Sequence, residues 1–349
     1  MATVKEIAEL AKVSIGTVDR VIHNRGRVSA ETKEKVERII EELGYQPNFF
    51  AKNLRRTKSF KFGVLMPQPG QDNGFWELLL PGIKRAKNQL EAYNVKVNIY
   101  YYDRNSEVSF REESGKLMAS NPDGIVIAPV VMPEIERFVK QLPETLPFAF
   151  VDSAIEGCHN LLQVGYNSYQ SGLTAGRLMQ ILVGNEKSTI AIFRSHMQEQ
   201  HMKDRTNGFC KFFENNTNIN FKYYDIHGVE DNELYNGLTQ KALDENPNLK
   251  GIFVTNAYSH GVAKFLERNK KKEDIALVGY DLVPENIRQL RAGTIDFLIS
   301  LRPGQQGFQA LFSLYYHIVQ DKTVEKEVLI PIDILTKENI DFYNILGGY

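Results

Sequence analysis

Two histidines and their polar neighbours are the residues that most invite an enzymatic interpretation. His196 and His201 lie close to Ser195 and Asp204. Histidines with this spacing do not share a helix face, and no third metal ligand follows at a useful distance. The sequence has no G-x-S-x-G or Walker motif, and no G-x-G-x-x-G follows its first apolar run. We therefore expect neither catalysis nor a metal nor a cofactor.

Polar residues that follow short apolar runs indicate a binding site instead. Asp152, Asn256 and Asp281 each come directly after such a run, and Arg205 lies in an amphipathic segment. Ligands of open α/β sheets bind beyond the carboxyl ends of the strands. Carboxylates accept hydrogen bonds from hydroxyl groups, and arginine and amide groups donate them, so the set suits a neutral polyol. Taken singly, each residue could equally be a helix cap, a turn residue or a surface charge.

Aromatic residues follow the first apolar run of the larger part of the chain. The segment Asn73-Gly74-Phe75-Trp76 contains the only tryptophan. Aromatic rings stack on the apolar face of a pyranose, and ligand pockets are typically lined by such rings. Simple burial in the core is the alternative interpretation.

The elements that would position these residues alternate between two patterns from Lys61 onwards. Phe62 to Met66 is predicted as a strand, Phe75 to Ala92 as a helix and Val95 to Tyr101 as the next strand. The same alternation continues to about residue 279. It predicts a doubly wound parallel α/β fold, and its length argues for two sheets.

The first part of the chain has a different pattern, with three short amphipathic helices. Thr3 and Glu6 form a capping box for the first helix, Ser14 caps the second, and Ser29 caps the third. Two helices joined by so short a turn and braced by a third predict a helix-turn-helix, whose second helix enters a major groove.

Composition agrees with a small basic head on an acidic body. The first 58 residues carry twelve basic and eight acidic side chains, and the remainder carries thirty basic and thirty-five acidic. This balance suits a polyanionic partner for the head alone, although a solvated helical surface is the alternative. Neither a secretory signal nor a membrane-spanning run is present, so we expect a cytoplasmic protein. We expect its two cysteines, Cys158 and Cys210, to be buried, reduced thiols.

Specific residues of the head resemble the lactose/galactose repressor (LacI/GalR) family. The resemblance covers Val4 to Ala8, Val13 to Val21, Val28 to Thr32 and Leu43 to Asn48. It implies binding to double-stranded operator DNA. The residues implied as DNA contacts are Ser14, Ile15, Gly16, Thr17, Arg20, Asn24, Asn48, Ala51, Leu54 and Arg55.

The resemblance extends into the connector at 47–59, which is similar to the family's hinge helix. There Leu54 occupies the position of a leucine that enters the minor groove and kinks the duplex. An unstructured basic linker is the alternative for the DNA-free chain. The head departs from the family at Ile15 and Gly16, where polar base-reading side chains are usual, and at Asp19, where serine is common. Arg20 is the best candidate for a guanine contact.

The body resembles periplasmic sugar-binding proteins, particularly the ribose-binding branch. Together, the resemblances of head and body imply an all-α helix-turn-helix head (1–46) and a two-lobed α/β body (60–349). The resemblance of the body also implies three crossings between the lobes, near Gln163, Thr294 and Lys322. Leu301 stands where the family often has a polar amide, and Arg302 could supply a different contact. The implied ligand residues are Asn73, Phe75, Trp76, Asp152, Arg205, Asn256, Asp281 and Arg302.

Together these features predict a repressor whose operator affinity depends on a small sugar or polyol bound between the lobes. A homodimer is expected, because the tail from Leu335 to Tyr349 lacks the heptads of a tetramerising helix. A cytoplasmic sugar-binding protein, or a regulator that senses a purine or a phosphorylated ligand, is the alternative. Whether the effector induces or corepresses stays open.

Overall fold

The computed structural model describes residues 4–22, 26, 28–43, 58–130, 133–195, 197–227 and 230–343. The chain divides into two compact units, Met1–Lys58 and Ser59–Tyr349. We call them the head and the body and describe each by itself.

The head consists of three helices around a small apolar core. They are α1 (Val4–Ala11), α2 (Ile15–Ile22) and α3 (Ala30–Glu42). The predicted caps of α2 and α3 are confirmed, because Ser14 Oγ accepts from the amide of Thr17 at 3.1 Å and Ser29 Oγ accepts from that of Thr32 at 3.3 Å. Thr3, the predicted cap of α1, lies outside the described residues. The buried residues of the core are Ile7, Ala8, Ala11, Val18, Val21 and Val36.

The body contains two six-stranded sheets. The strands of the first sheet are β1 (Phe60–Pro67), β2 (Val95–Tyr102), β3 (Gly124–Ile127), β4 (Phe148–Val151), β5 (Leu162–Gly165) and β11 (Glu327–Leu329). Those of the second are β6 (Ser188–Arg194), β7 (Ile219–Asp225), β8 (Leu249–Val254), β9 (Ala276–Tyr280), β10 (Phe297–Ser300) and β12 (Asp333–Leu335).

The two sheets have matching strand orders, β11-β5-β4-β3-β1-β2 and β12-β10-β9-β8-β6-β7. The first is wholly parallel, and the second is parallel except for β12, which runs antiparallel to β10. The predicted doubly wound α/β body with two sheets is confirmed. We call each sheet with its helices a lobe.

Nine helices of the described body cover the sheets. They are α4 (Leu80–Glu91), α5 (Glu107–Ala119), α6 (Pro133–Gln141), α7 (Ser168–Val183), α8 (Gln200–Phe212), α9 (Asn232–Glu245), α10 (Ser259–Arg268), α11 (Pro284–Arg291) and α12 (Pro303–Ile318). Within the described ranges, no helix has the length and apolar character needed to cross a membrane.

The helix predicted from Phe75 to Ala92 is two elements. A 3₁₀ segment, Asp72–Leu79, comes first and is kinked at Asn73 and Gly74, whose φ angles of 58° and 81° are not helical. The α-helix begins only at Leu80, with Pro81 in its first turn. Proline lacks an amide hydrogen and is tolerated in the first turn of a helix, so it marks a new start.

The first crossing between the lobes lies near Gln163, as predicted, and the other two lie later in the chain than predicted. Gln163 is still within β5, and the chain leaves the first sheet after Gly165. Strand β10 belongs to the second sheet and β11 to the first, so the boundaries expected near Thr294 and Lys322 are wrong. Short edge strands and extended connections share one backbone pattern, which sequence periodicity does not separate.

Both cysteines are free, as expected, but neither is fully buried. Cys158 and Cys210 are half-buried. The Cys210 Sγ lies 3.3 Å from the Tyr223 hydroxyl.

Candidate functional site

A cavity lies between the two lobes at the carboxyl ends of their strands. Its volume is about 540 Å³ when the open space at its entrance is included. Its lining residues are Asp72, Asn73, Phe75, Trp76, Arg104, Pro129, Val130, Asp152, Tyr166, Glu199, His201, Met202, Arg205, Glu230, Asn256, Ala257, Tyr258 and Asp281. Seven of the eight ligand residues predicted from the sequence are therefore brought together, and Arg302 is not.

Asp152 and Asp281 occupy equivalent positions in the two lobes. Asp152 follows β4 and Asp281 follows β9. Each of these strands is third in the spatial order of its sheet, counted from β11 and from β12. Both have a left-handed backbone, with φ of 67° and 68°. Their amides donate to the carbonyls of Val164 and Ile299 at 3.1 and 3.0 Å, which continues the strand pairing by one residue. A left-handed non-glycine residue held in this way is a recurring feature of functional sites.

The carboxylates of these two residues are buried. Asp152 is 8% exposed and Asp281 4%. Burial raises the pKa of Asp152 to about 7 and that of Asp281 to about 6, and nearby Arg205 opposes both shifts. Among the residues described, the Oδ1 atom of each has no hydrogen-bond partner. Unsatisfied buried oxygens of this kind are poised to accept from a ligand.

Arg205, on α8, lies between aromatic rings. Its Nη1 donates to the Thr255 carbonyl and its Nη2 donates to the Tyr166 hydroxyl at 2.6 Å. The guanidinium carbon lies 3.9 Å from the Tyr280 ring centre. Its Nε, within the described structure, has no acceptor. The buried arginine is thus fixed in position and keeps one donor for a ligand.

A close helix crossing sets the position of Arg205. Helices α7 and α8 cross at Gly172 and Gly208. A Cβ on Gly172 would overlap the Arg205 carbonyl and lie 2.8 Å from the Phe209 amide. Only glycine therefore allows the backbone that carries Arg205 to approach α7 so closely.

Arg104 lines the cavity and connects the two lobes. It follows β2 in the first lobe and pairs there with Asp72, and its Nη2 lies 2.9 Å from Glu199 at the start of α8 in the second. Burial raises the pKa of Glu199 to about 7, and Arg104 opposes the shift. Asp72, Arg104 and Glu199 were not predicted from the sequence as site residues, although Arg104 comes soon after a strand end.

Asn256 belongs to a polar network with Glu230, another residue missed from the sequence. Asn256 Nδ2 donates to Glu230 Oε2 at 2.6 Å, and the hydroxyl of Tyr235 donates to the same oxygen at 3.1 Å. The Ser195 hydroxyl donates to Glu230 Oε1. Ser195, one of the residues that invited an enzymatic interpretation, is therefore engaged with a carboxylate. His196 lies outside the described residues.

The aromatic segment lines the cavity from the first lobe. Trp76 is 3% exposed, and its Nε1 donates to Asp72 at 2.6 Å. Phe75 meets it edge to face, with the ring centres 5.0 Å apart. Asn73 Nδ2 donates across the cavity to the Ala257 carbonyl at 3.1 Å. His201, for which no catalytic role was expected, also lines the cavity. Its Nε2 lies 3.4 Å from Glu199 Oε2.

Arg302 is a correction to the predicted ligand set. Its Nε and Nη2 are each 2.5 Å from an oxygen of Asp333, the first residue of β12. A bidentate pair with this geometry holds the guanidinium at the edge of the second sheet. Within the described part of the chain, no cluster of three or more histidine, cysteine or acidic residues could hold a metal ion.

Comparison with known proteins gives the chain its family. Residues 62–322 match the family described as a periplasmic binding protein domain, and residues 3–48 match the bacterial regulatory proteins of the lacI family. A crystal structure of a putative LacI transcriptional regulator from Bacteroides fragilis is 30% identical, with a TM-score of 0.72, and covers 82% of this chain and 100% of that one. The chain belongs to the LacI family.

Two curated relatives span nearly the whole chain. The ribose operon repressor of Lactococcus lactis subsp. lactis (strain IL1403) is 24% identical over 97% of this chain and 98% of its own. The NTD biosynthesis operon regulator NtdR of Bacillus subtilis (strain 168) is 26% identical over 97% and 100%. The chain is accordingly a DNA-binding regulator of transcription.

The head of this LacI-family regulator exposes the predicted start of its recognition helix. Ser14, Ile15 and Gly16 are exposed, and Ile15 is 55% accessible. Arg20 is also exposed, with its Nε donating to the Gly16 carbonyl at 3.0 Å and its Nη2 lying 3.4 Å from the Thr17 hydroxyl. The other predicted DNA contacts, Asn24, Asn48, Ala51, Leu54 and Arg55, lie outside the described residues.

Proposed function

We propose that the chain is a repressor that binds operator DNA as a homodimer and is controlled by a sugar or polyol bound in the cavity between its lobes. The observation that carries the ligand class is the pair of buried carboxylates, Asp152 and Asp281. Each has an oxygen that no other described residue satisfies. Because a chromosome-bound repressor works where the DNA is, we place its action in the cytoplasm.

The remaining lining supports a polyhydroxylated ligand. Trp76 and Phe75 offer apolar rings to a sugar face, and Arg205 Nε is a donor that has no acceptor among the described residues. The printed name of the Lactococcus lactis relative associates that protein with a ribose operon. This likeness supports a ligand of sugar size for the present chain.

Operator binding would use two heads. One short recognition helix reads one half-site, so a near-palindromic operator requires a pair of heads at fixed spacing. In this proposal Arg20 contacts a guanine, and Ile15 can contact a thymine methyl group. The hinge leucine, Leu54, remains a proposed minor-groove contact.

The first experiment tests the DNA interface. Binding sites would be selected from fragmented genomic DNA with the full chain, and the selected duplex would be titrated by fluorescence anisotropy. We expect Arg20→Ala to weaken binding by about 1–3 kcal/mol and to relax sequence preference. Arg38→Ala, which removes an exposed arginine paired with Glu34 on α3, is the matched control. Equal effects of both changes would contradict a base-reading role for Arg20.

The second experiment couples the cavity to the DNA. Sugars and polyols would be added to the protein–operator complex, and the direction of the change in affinity would identify an inducer or a corepressor. We expect the effect to disappear in Arg205→Lys, because lysine cannot reproduce the guanidinium contacts. An effector that binds but leaves operator affinity unchanged would overturn the regulatory coupling.

A further inference from the structure

The cavity contains more acidic than basic groups. Its five carboxyl side chains are Asp72, Asp152, Glu199, Glu230 and Asp281. Arg104 and Arg205 oppose them, and His201 adds a positive charge only when it is protonated. An excess of at least two potential negative charges therefore remains, even with His201 protonated.

The first guanidinium, on Arg104, is engaged by two acids. It pairs with Asp72 and, at 2.9 Å, with Glu199. Its side chain is only 9% exposed. One positive charge thus faces two acids here, and the described ion pairs of Arg104 include neither Asp152 nor Asp281.

The second guanidinium, on Arg205, is engaged by uncharged groups. Its two terminal nitrogens donate to the Thr255 carbonyl and the Tyr166 hydroxyl. Glu230 is likewise held by neutral donors, including Ser195 and Asn256. Arg205 is consequently held in place by neutral groups and keeps its charge for the cavity.

Asp152 and Asp281 are the acids with the least compensation. Within the described residues, neither carboxylate forms an ion pair, and the Oδ1 atom of each lacks a hydrogen-bond partner. They face the cavity from opposite lobes. Burying an ionised carboxylate without a partner is costly, so both sites favour a group that brings positive charge.

Ligand classes differ in how they meet this requirement. A neutral sugar donates hydroxyl hydrogen bonds but leaves the excess charge in place. A phosphorylated sugar or a sugar acid increases it. An ammonium group removes it and forms charge-assisted hydrogen bonds, which are roughly twice as strong as neutral ones.

We propose that the effector is a polyhydroxylated amine, an amino sugar or an aminocyclitol, whose ammonium group is bound by Asp152 and Asp281. The inference rests on the proposed sensor function and narrows its ligand class. Trp76 and Phe75 cover the apolar face of the ring, as in the neutral case. The amine therefore decides specificity while the hydroxyl groups share the remaining polar lining.

Trp76 provides a direct test, because it is the only tryptophan and lines the cavity. Its fluorescence in the full chain would be titrated near neutral pH with matched compounds. The pairs are D-glucosamine with D-glucose, D-galactosamine with D-galactose, and streptamine with scyllo-inositol. In at least one pair we expect the amine to bind about tenfold or more tightly than its neutral partner, which corresponds to about 1.4 kcal/mol.

The variants distinguish charge recognition from general fit. Asp152→Asn with Asp281→Asn should bring the amine-to-neutral affinity ratio close to unity, and each single change should reduce it, so the test survives misfolding of the double variant. Asp244→Asn, an exposed acid on α9 outside the cavity, should keep the ratio. A neutral partner that binds as tightly as its amine in every pair, or tighter, would overturn the inference and leave the sensor function standing. Binding by no compound of the panel would overturn both.

Discussion

At the scale of single residues, burial of the cavity acids in their ionised form lowers the free energy of unfolding. Asp281 has its pKa raised from 3.8 to about 6 by burial, with Arg205 opposing. Between pH 4 and 6 the folded state therefore binds more protons at this residue than the unfolded state does. The stability that depends on a protonated Asp281 is fully present below pH 4 and is lost as the pH rises through 6. A ligand that satisfies the carboxylate would offset this loss.

Asp281→Asn should consequently stabilise the unliganded protein at pH 8. The amide keeps the size of the side chain and removes the charge. The gain should approach an upper limit of about 3 kcal/mol at pH 8 and vanish near pH 4. Thermal melts from pH 4 to 8 would measure it, with the exposed Asp244→Asn as control. A melting temperature that rises equally for both variants, or at all pH values alike, would contradict an ionisation effect.

At the scale of elements, the α7–α8 crossing determines the position of Arg205. The contact is made by backbone on both sides, since a Cβ on Gly208 would lie 2.9 Å from the Tyr169 carbonyl carbon. Close-packed interiors do not absorb an added methyl group at such a point, so the helices must separate. Separation would also move the guanidinium away from the Tyr280 ring.

Gly172→Ala should therefore reduce both stability and ligand binding. We expect a loss of about 1–3 kcal/mol in the free energy of unfolding, typical of overpacking. Gly237→Ala on α9 is the matched control, because its Cβ would meet nothing within 4 Å and its backbone is not left-handed. That change should stabilise the protein by about 0.4–1 kcal/mol. Chemical denaturation of both variants would measure the free energy of unfolding, and titration with the effector would measure binding. Unaltered binding by Gly172→Ala would refute the role of the crossing in positioning Arg205.

What the sequence could predict about the site depended on the element that carries each residue. Asp152 and Asp281 follow short apolar runs, so the rule for strand ends found them. Glu199 and Glu230 acquire their role from contacts between distant segments, which local periodicity does not encode. Arg302 was misassigned because its partner, Asp333, lies on β12, an antiparallel edge strand that interrupts the alternating pattern.

The overall fold was more predictable than its boundaries for a related reason. Amphipathic and apolar periodicities predict that a helix or a strand exists, because burial demands them. The caps at Ser14 and Ser29 could be located since their side chains bond to nearby amides. The second and third lobe crossings could not be located, because the antiparallel pairing of β12 and the late position of β11 result from tertiary contacts rather than from local pattern.

At the scale of the whole body, the two matching sheets face each other across one cavity. Their strand orders are equivalent, and Asp152 and Asp281 lie at equivalent points. A two-lobed arrangement of this kind can convert ligand contacts into a change of lobe position, since hinge closure is a common response to a ligand between domains. Direct contacts between the lobes then set how readily the cavity opens.

Arg104 is the residue through which this equilibrium can be tested. Arg104→Ala removes the positive charge between Asp72 and Glu199, leaving two acids of opposite lobes near each other. We expect the cavity to open more often, so that acrylamide quenches Trp76 fluorescence more strongly in the absence of effector. Arg104→Lys should give an intermediate result, because a single ammonium retains the charge but not the forked geometry.

The control for this change is an arginine pair within one lobe. Arg194 bonds to Asp225 through Nε and Nη2 at 2.7 and 2.8 Å, with both residues on the second sheet. Arg194→Ala removes a comparable ion pair without affecting contacts between lobes, so quenching of Trp76 should stay at the level of the unaltered protein. If both alanine variants increased quenching equally, general loosening would explain the result. An increase confined to Arg104→Ala would locate the restraint on opening at the contact between the lobes.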